Sequence, residues 1–519
     1  MAYRVYQTNK KTGVTYVYEA VSYWDKEKHQ PRNRQVCIGK LDAETGEFVP
    51  SRRLNPDRMM VKEPAVTATA SIVGPSLLLE SITYELALDT ILKKAFPKIH
   101  EQILTMAYYL AVRGGPLSHL ESWSKSHEHP FGKALTSQRI SDLLKILGGE
   151  EGRANFFKAW GQRHAESDYR CYDITSVSSY GRLNEYIKYG HNRDREHLKQ
   201  INLAMLSGQE SELPLYYQRM PGNISDVVML QGILQTFCCL EQPRLHLVLD
   251  RVFYSRDNVD ELTEKRIKFI LAVPNRLKWV QRLIDESRQT MQDPEGYHKI
   301  DGEILCAHTR LYPWGKGRRR CYAHIYYNAH AAAQAADSFT EELLDSKEEL
   351  ESGNLAAGHE DACQTFFTVK ETPARGRRVS FNPETIQQNR NRYAGFHVLL
   401  TNDIKDPQEA LQIYRNKDTV EKCFDDLKNQ LDMERLRVHC SSHMDGRLFI
   451  QFIALIYMSA LRKKMRQAKL IDRYTVQELL LEMETLTRVR YSGKYGQILT
   501  KITKPQQLIM NHLNIQPPA

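Results

Sequence analysis

The chain has 519 residues, 41% hydrophobic and 26% charged, a globular composition that excludes a wholly disordered or fibrous protein and predicts two to four domains. Lys and Arg total 72 against 63 Asp and Glu, and the resulting net charge of +9 suits a polyanionic partner without requiring one. The nine cysteines include no Cys-x-x-Cys pair and the N-terminus opens Met1-Ala2-Tyr3-Arg4 with no apolar run, which argues against a zinc ribbon, a disulfide framework and a secretory signal.

Residues 1–62 alternate apolar and polar side chains, as at Val14, Tyr16, Tyr18 and at Val36, Ile38, between turn signals at Thr12-Gly13 and Thr45-Gly46. A small N-terminal β-meander is predicted. Its basic surplus suits nucleic-acid contact or a solvated surface equally. Residues 63–165 change to helical periodicity, clearest over 77–94, 103–113 and 137–147, and predict a helical domain. Thr136 caps the third of these helices, leaving Gln138, Arg139 and Asp142 on an exposed face that suits either a DNA major groove or plain solvent.

Between 166 and 274, strands are predicted at 168–175, 200–206, 213–219, 245–250 and 267–273, with a helix over 225–240. Three strands, a helix, a strand, a helix and a strand make the order of a ribonuclease H-like mixed sheet flanked by helices, so the fold class is multidomain α/β. Residues 275–390 interrupt that rhythm and predict a β-rich insertion subdomain. The core resumes over 391–435 with an apolar strand at Gly395–Leu400 and a long helix from Pro407 to about Met433. The remainder, 436–519, reads as helical. Its most apolar run, Leu448–Leu461, holds Gln451 and Ser459 and is too short to span a membrane, so no membrane partner and a cytoplasmic location are expected.

The chemistry is sought among acids in apolar strands, because phosphodiester cleavage by divalent cations needs converging carboxylates. Asp173 lies in Cys171-Tyr172-Asp173-Ile174-Thr175 and Asp250 ends Leu245-His246-Leu247-Val248-Leu249-Asp250. Either alone also suits a carboxylate that caps a turn. On the long helix, Tyr414, Lys417, Glu421 and Lys428 fall on one stripe, while Val420, Phe424, Leu427 and Leu431 form an apolar stripe able to dock on a sheet. An acid between cations fits a metal site with phosphate clamps, although on the helix alone a solvated face with Glu-Lys pairs is the plainer reading. His439, Cys440 and His443 lack a fourth ligand at a customary spacing and read as structural.

Together, Asp173-Ile174-Thr175-Ser176, Asp250-Arg251 followed by Phe253-Tyr254-Ser255, and Tyr-x2-Lys-x3-Glu-x6-Lys resemble the Asp-Asp-Glu transposases of bacterial insertion sequences, the group named for a Tyr-Arg-Glu-Lys signature, over about residues 165–435. The resemblance implies a ribonuclease H-like core with a β-rich insertion before the last catalytic helix. It further implies Asp173, Asp250 and Glu421 as catalytic ligands of two Mg²⁺ ions, for which Mn²⁺ substitutes, in a polynucleotidyl transferase and endonuclease for cut-and-paste DNA transposition. Tyr414, Lys417, Lys428 and Arg251 are the implied contacts to double-stranded DNA at the transposon ends, with target DNA as the second substrate and a homodimer or higher synaptic complex on the bacterial nucleoid as the working unit. Trp314, with Lys316 and Arg318 beside it, is the better candidate for a residue that stacks on a displaced base, with Trp279 as the alternative, while an ordinary core or surface tryptophan is the plainer reading of both. Two departures stand out: Lys417 replaces the family's Arg, and Val252 stands where a glycine commonly follows Asp-Arg. They leave two other readings open, a transposase-derived DNA-binding protein with impaired catalysis and a ribonuclease H-like nuclease without transposition.

Overall fold

The computed structural model describes residues 2–25, 29–43, 45–51, 67–164, 169–179, 185–190, 198–239, 245–288, 291, 296–352, 365–372, 376–389, 392–431, 433, 435–436, 440–492 and 496–517. The chain divides into two compact units. One comprises Met1–Ala70 with Arg488–Leu499, and the other Ser71–Thr487 with Thr500–Ala519.

In the first unit, β1 (Ala2–Thr8), β2 (Thr15–Asp25), β3 (Gln30–Leu41) and β4 (Phe48–Pro50) form a four-stranded antiparallel sheet in that order. A second, three-stranded sheet joins β5 (Ala68–Ile72) to two strands from near the C-terminus, Thr487–Tyr491 and Gln497–Leu499. The expectation of a wholly helical C-terminal region is corrected there.

The second unit opens with helices α1 (Gly74–Glu85), α2 (Leu88–Ala95), α3 (His100–Arg113), α4 (Leu120–Ser124), α5 (Ser137–Leu147) and α6 (Glu150–Arg163). The single helix expected over 77–94 is two, divided at Ala87, which takes a left-handed φ of 53°. Of these, α1, α3 and α5 pack on Ser441–Gln467, so the helical segments before and after the sheet share one core instead of forming separate domains. That helix is long and apolar enough to cross a membrane, but its apolar window is 94% buried within the protein. Gly446 permits the contact, since a Cβ there would stand 2.0 Å from the Leu144 carbonyl oxygen of α5.

The central sheet begins with β6 (Arg170–Ser179), β7 (Gln200–Gly208) and β8 (Pro214–Pro221). After α7 (Asp226–Cys239) comes β9 (His246–Leu249), and after α8 (Arg256–Glu264) comes β10 (Lys268–Val273). Their spatial order is β8-β7-β6-β9-β10, antiparallel through the first three and parallel from β6 to β10. Then come α9 (Lys278–Ser287), β11 (Tyr297–Ile300), β12 (Glu303–Trp314), β13 (Arg319–Tyr327), α10 (Ala329–Ser352), the hairpin β14 (Phe367–Thr372) and β15 (Gly376–Phe381), and β16 (Phe396–Thr401). β16 pairs antiparallel with both β10 and β13. The insertion strands β11, β12 and β13 therefore widen the central sheet. The separate β-rich subdomain expected over 275–390 is corrected to a sheet extension followed by helix α10 and a small hairpin.

Candidate active site

On β6, Tyr172 and Ile174 point into the main hydrophobic cluster together with Leu247 and Leu249 of β9. Alternation places Cys171 and Asp173 on the opposite face. The parallel register pairs Cys171 with Val248 and Tyr172 with Leu249. Asp173 on β6 and Asp250 just past the end of β9 are the residues that follow this last pair. Asp250 follows the last residue of β9 and begins a 3-10 turn over Arg251–Phe253. Asp173, by contrast, does not terminate its strand: β6 continues to Ser179 because β7 pairs along it, Asp173 opposite Met205. It is half-buried in a strand whose other residues are all buried.

Over this face lie Pro407–Arg415 and Asp418–Asp425, followed by a π-helical turn at Asp426–Gln430. The one long helix expected from Pro407 to Met433 is thus broken twice. At Asn416–Lys417 the backbone tightens to i→i+3 bonds, Lys417 N–H to Tyr414 and Val420 N–H to Lys417, while the Asn416 carbonyl accepts the Cys171 thiol at 3.8 Å. The docking stripe is as anticipated, with Val420, Phe424, Leu427 and Leu431 all buried. Cys423 adds thiol contacts to Ser207 of β7 and Ser459.

The Tyr414 hydroxyl donates to Asp250 Oδ1 at 2.9 Å. Lys417 Nζ stands 3.7 Å from Asp250 Oδ1 and 3.1 Å from Glu421 Oε1, and it also feels the charge of Asp173. One ammonium therefore answers all three acids. Burial opposes ionisation of Asp250, yet Lys417, the Arg251 N–H and the Tyr414 hydroxyl outweigh it and hold the carboxyl below its ordinary range. Burial likewise opposes the charge on Lys417, and Asp250 with Glu421 reverses that, raising its pKa. Burial first, then Asp250, lifts Tyr414 so that it remains a hydrogen-bond donor. Against Tyr414, at 5.2 Å between ring centres, lies His397, pushed down to about 4 by burial and so a neutral imidazole at pH 7. The sequence reading passed over His397. Its signal was an imidazole opening an otherwise apolar strand.

Carboxylate oxygens are the donors that Mg²⁺ prefers, and Asp173 and Asp250 follow the last paired residues of adjacent parallel strands. Among the described residues no three His, Cys, Asp or Glu side chains lie close enough to grip a single ion. The cation now between Asp250 and Glu421 is the Lys417 ammonium, a positive charge of the kind the acids attract. The donor set fits a divalent metal in its chemistry.

Residues 165–457, more than half of the chain, match the family model described as "Transposase DDE domain". The chain belongs to the DDE transposase family. No curated protein matches it. Among solved structures it is similar to a piggyBac transposase synaptic complex with hairpin DNA, at 9% identity and a TM-score of 0.34, over 86% of this chain and 83% of that one. That likeness is too slight to bear on the fold.

The remaining residues expected in this transposase domain and around it are dispersed. Arg251 is exposed at the rim of a cleft of about 420 Å³ next to Asp250, lined also by Val252, Arg276, Phe396 and His397. Val252 is 40% exposed and lies outside the left-handed region, so it fits the turn without strain. Lys428 sits half-buried on the π-turn. Trp314 is corrected: it is 6% exposed, donates to Asp260 Oδ1 at 2.6 Å, and packs among Trp279 and Tyr312, so it offers a base no open face. Trp279 is partly buried in the same aromatic cluster. Lys316 and Arg318 are exposed in the β12–β13 turn. Gln138 and Arg139 lie at the start of α5, far along the chain from the acids, with Gln138 bonded to Asp142 at 3.1 Å. His443 donates to or accepts from Ser141, and His439 lies outside the described residues.

Proposed function

We propose that this protein is a DNA transposase that binds the ends of an insertion sequence and performs metal-dependent phosphodiester hydrolysis and strand transfer. The observation that supports the reading is the register of β6 on β9, whose last pair, Tyr172 and Leu249, immediately precedes Asp173 and Asp250, together with the Lys417 ammonium that lies near both Asp250 and Glu421. The order β8-β7-β6-β9-β10, with its antiparallel and then parallel pairing, supports a ribonuclease H-like core. DNA at the element's ends and at the target is the proposed partner, bound by a dimer or higher assembly, which sets the work on a bacterial chromosome in the cytoplasm.

Asp173, Asp250 and Glu421 would hold two Mg²⁺ ions, which supply a nucleophilic water and stabilise the leaving oxygen. Attack by water on phosphorus breaks the bond to the 3′ oxygen, which leaves as a 3′-hydroxyl after taking a proton. In the second step that hydroxyl loses its proton and attacks a target phosphorus, forming a new P–O bond as the target's own bond from phosphorus to its 3′ oxygen breaks and that oxygen leaves as a hydroxyl. Asp250 stays ionised through Lys417 and Tyr414, so the ligand is charged well below neutral pH. Lys417, Lys428 and Arg251 would position phosphates of the strand being cut, and neutral His397 walls the site without competing for the metal's charge.

The test is incubation of the full chain with a duplex carrying the inverted repeats that flank its coding region, with Mg²⁺. Nicks with 3′-hydroxyl ends at the repeat boundary, suppressed by EDTA, are expected. Tight binding of the repeats with no nick in Mg²⁺ or Mn²⁺ would overturn the catalytic reading.

A further inference from the structure

Away from the three acids, α6, β8 and the first turn of the Ser441–Gln467 helix enclose a cleft of about 500 Å³. Arg153 and Lys158 of α6 and Arg219 of β8 line it, opposed by Glu150 and Asp445. Asp445 is already answered: Arg219 reaches its two oxygens at 2.7 Å and 3.0 Å, and Arg153 stands at 3.8 Å. Arg219 is further fixed by stacking on the Tyr186 ring at 3.6 Å, and Arg153 by bonds to the Gly148 and Gly149 carbonyls. These cations are held rigidly.

Two buried donors on β8 are left over. Arg219 Nη1 and the Tyr217 hydroxyl have no acceptor among the described residues, although Tyr217 is only 5% exposed. Burial pushes the Tyr217 pKa up, so the group stays a donor. Unpartnered buried donors are uncommon in folded proteins, and here two lie next to Arg153 and Lys158. A guanidinium N–H and a phenol O–H that lack acceptors, in a cleft lined by further cations, are matched by a tetrahedral oxyanion with several acceptor oxygens.

We propose that this cleft is a second anchoring point for DNA, in which a backbone phosphate accepts from Tyr217, Arg219, Arg153 and Lys158. The assignment rests on the transposase reading for the presence of DNA. Inorganic phosphate shares the chemistry, but the cleft opens to the surface at exposed Ala154, Asn155 and Lys158, along the edge strand of the sheet that carries Asp173. A polynucleotide has access there.

The experiment measures binding of the full chain to a duplex of arbitrary sequence by fluorescence anisotropy across a salt series, for the wild type, Lys158→Gln, Arg153→Gln and Tyr217→Phe. Each charge removal is expected to reduce the slope of log K against log salt by about 0.9, the share of one phosphate contact. Tyr217→Phe should weaken binding severalfold with the slope unchanged. A structural tyrosine would behave in the opposite way, lowering the melting temperature and leaving binding alone. Arg153→Gln is open to misfolding through Asp445, so Lys158→Gln and Tyr217→Phe decide. Wild-type slopes and affinities in both would overturn the proposal, as would a Tyr217-dependent thermal shift with inorganic phosphate accompanied by unaltered DNA binding. Failure of the wild type itself to bind DNA would sink the transposase reading instead.

Discussion

With its ammonium 3.7 Å from Asp250 and 3.1 Å from Glu421, Lys417 favours the ionised form of Asp250 and pairs with Glu421. Asp250 is held below the ordinary carboxylate range, so wild-type cleavage is lost only when pH falls through that lowered value. In Lys417→Gln burial is no longer outweighed by the ammonium, the Asp250 pKa rises, and the acidic limb of the rate profile moves to higher pH. Lys417→Arg keeps the charge and should keep the limb in place. A pH series of nicking rates checks both, and an unmoved limb in Lys417→Gln would remove this role from the lysine. Trp314 shows where residue-scale reading of sequence goes astray. Cations at 316–320 mark the turn as exposed, but the alternation of β12 turns Trp314 inward at its last position, where Asp260 satisfies its indole N–H.

At the scale of elements, the last acid depends on how the broken helix is seated. Arg462 pairs with Asp426 of the π-turn, which is 5% exposed, and Gln451 donates to the Leu431 carbonyl at 2.9 Å. Arg462→Met leaves a buried carboxylate without its cation, a loss of about 3–5 kcal/mol. Burial already raises the Asp426 pKa, so in the variant the charge vanishes as pH falls through that raised value. The stability deficit in denaturant titrations should therefore be largest near neutrality and shrink at acid pH; a deficit independent of pH would contradict the charge argument. Gly114 seats the same turn from the other side. It ends α3 with φ 62°, and a Cβ would stand 1.9 Å from the Gln430 carbonyl oxygen. Gly114→Ala is expected to lower the melting temperature and reduce nicking together, and normal melting with normal nicking would show that the contact yields. The docking stripe of this helix was legible because 3.6-residue periodicity records burial directly. Its breaks were not, since they arise from long-range partners such as the Cys171 thiol and the Gly114 backbone.

For the molecule as a whole, the run of three strands, helix, strand, helix and strand from β6 to β10 was legible because each strand is an apolar run bounded by turn residues. Its five strands begin and end within a few residues of expectation, the largest difference being β6, which pairs with β7 beyond Thr175. The widening of the sheet by β11, β12 and β13 was not legible, because alternation marks a strand without naming its neighbour; only β16, pairing with both β10 and β13, joins the insertion to the core. The same limit hid the packing of α1, α3 and α5 on a helix more than 300 residues later. The proposed chemistry requires Asp173, Asp250 and Glu421, from three distant stretches of chain, to act together. The direct measurement is single-turnover nicking of terminal-repeat duplex in Mg²⁺ by Asp173→Asn, Asp250→Asn and Glu421→Gln, with binding to the same duplex measured in parallel. Nicking should disappear in each while binding stays near the wild-type level, and undiminished nicking by any one of the three would contradict the assignment of that acid.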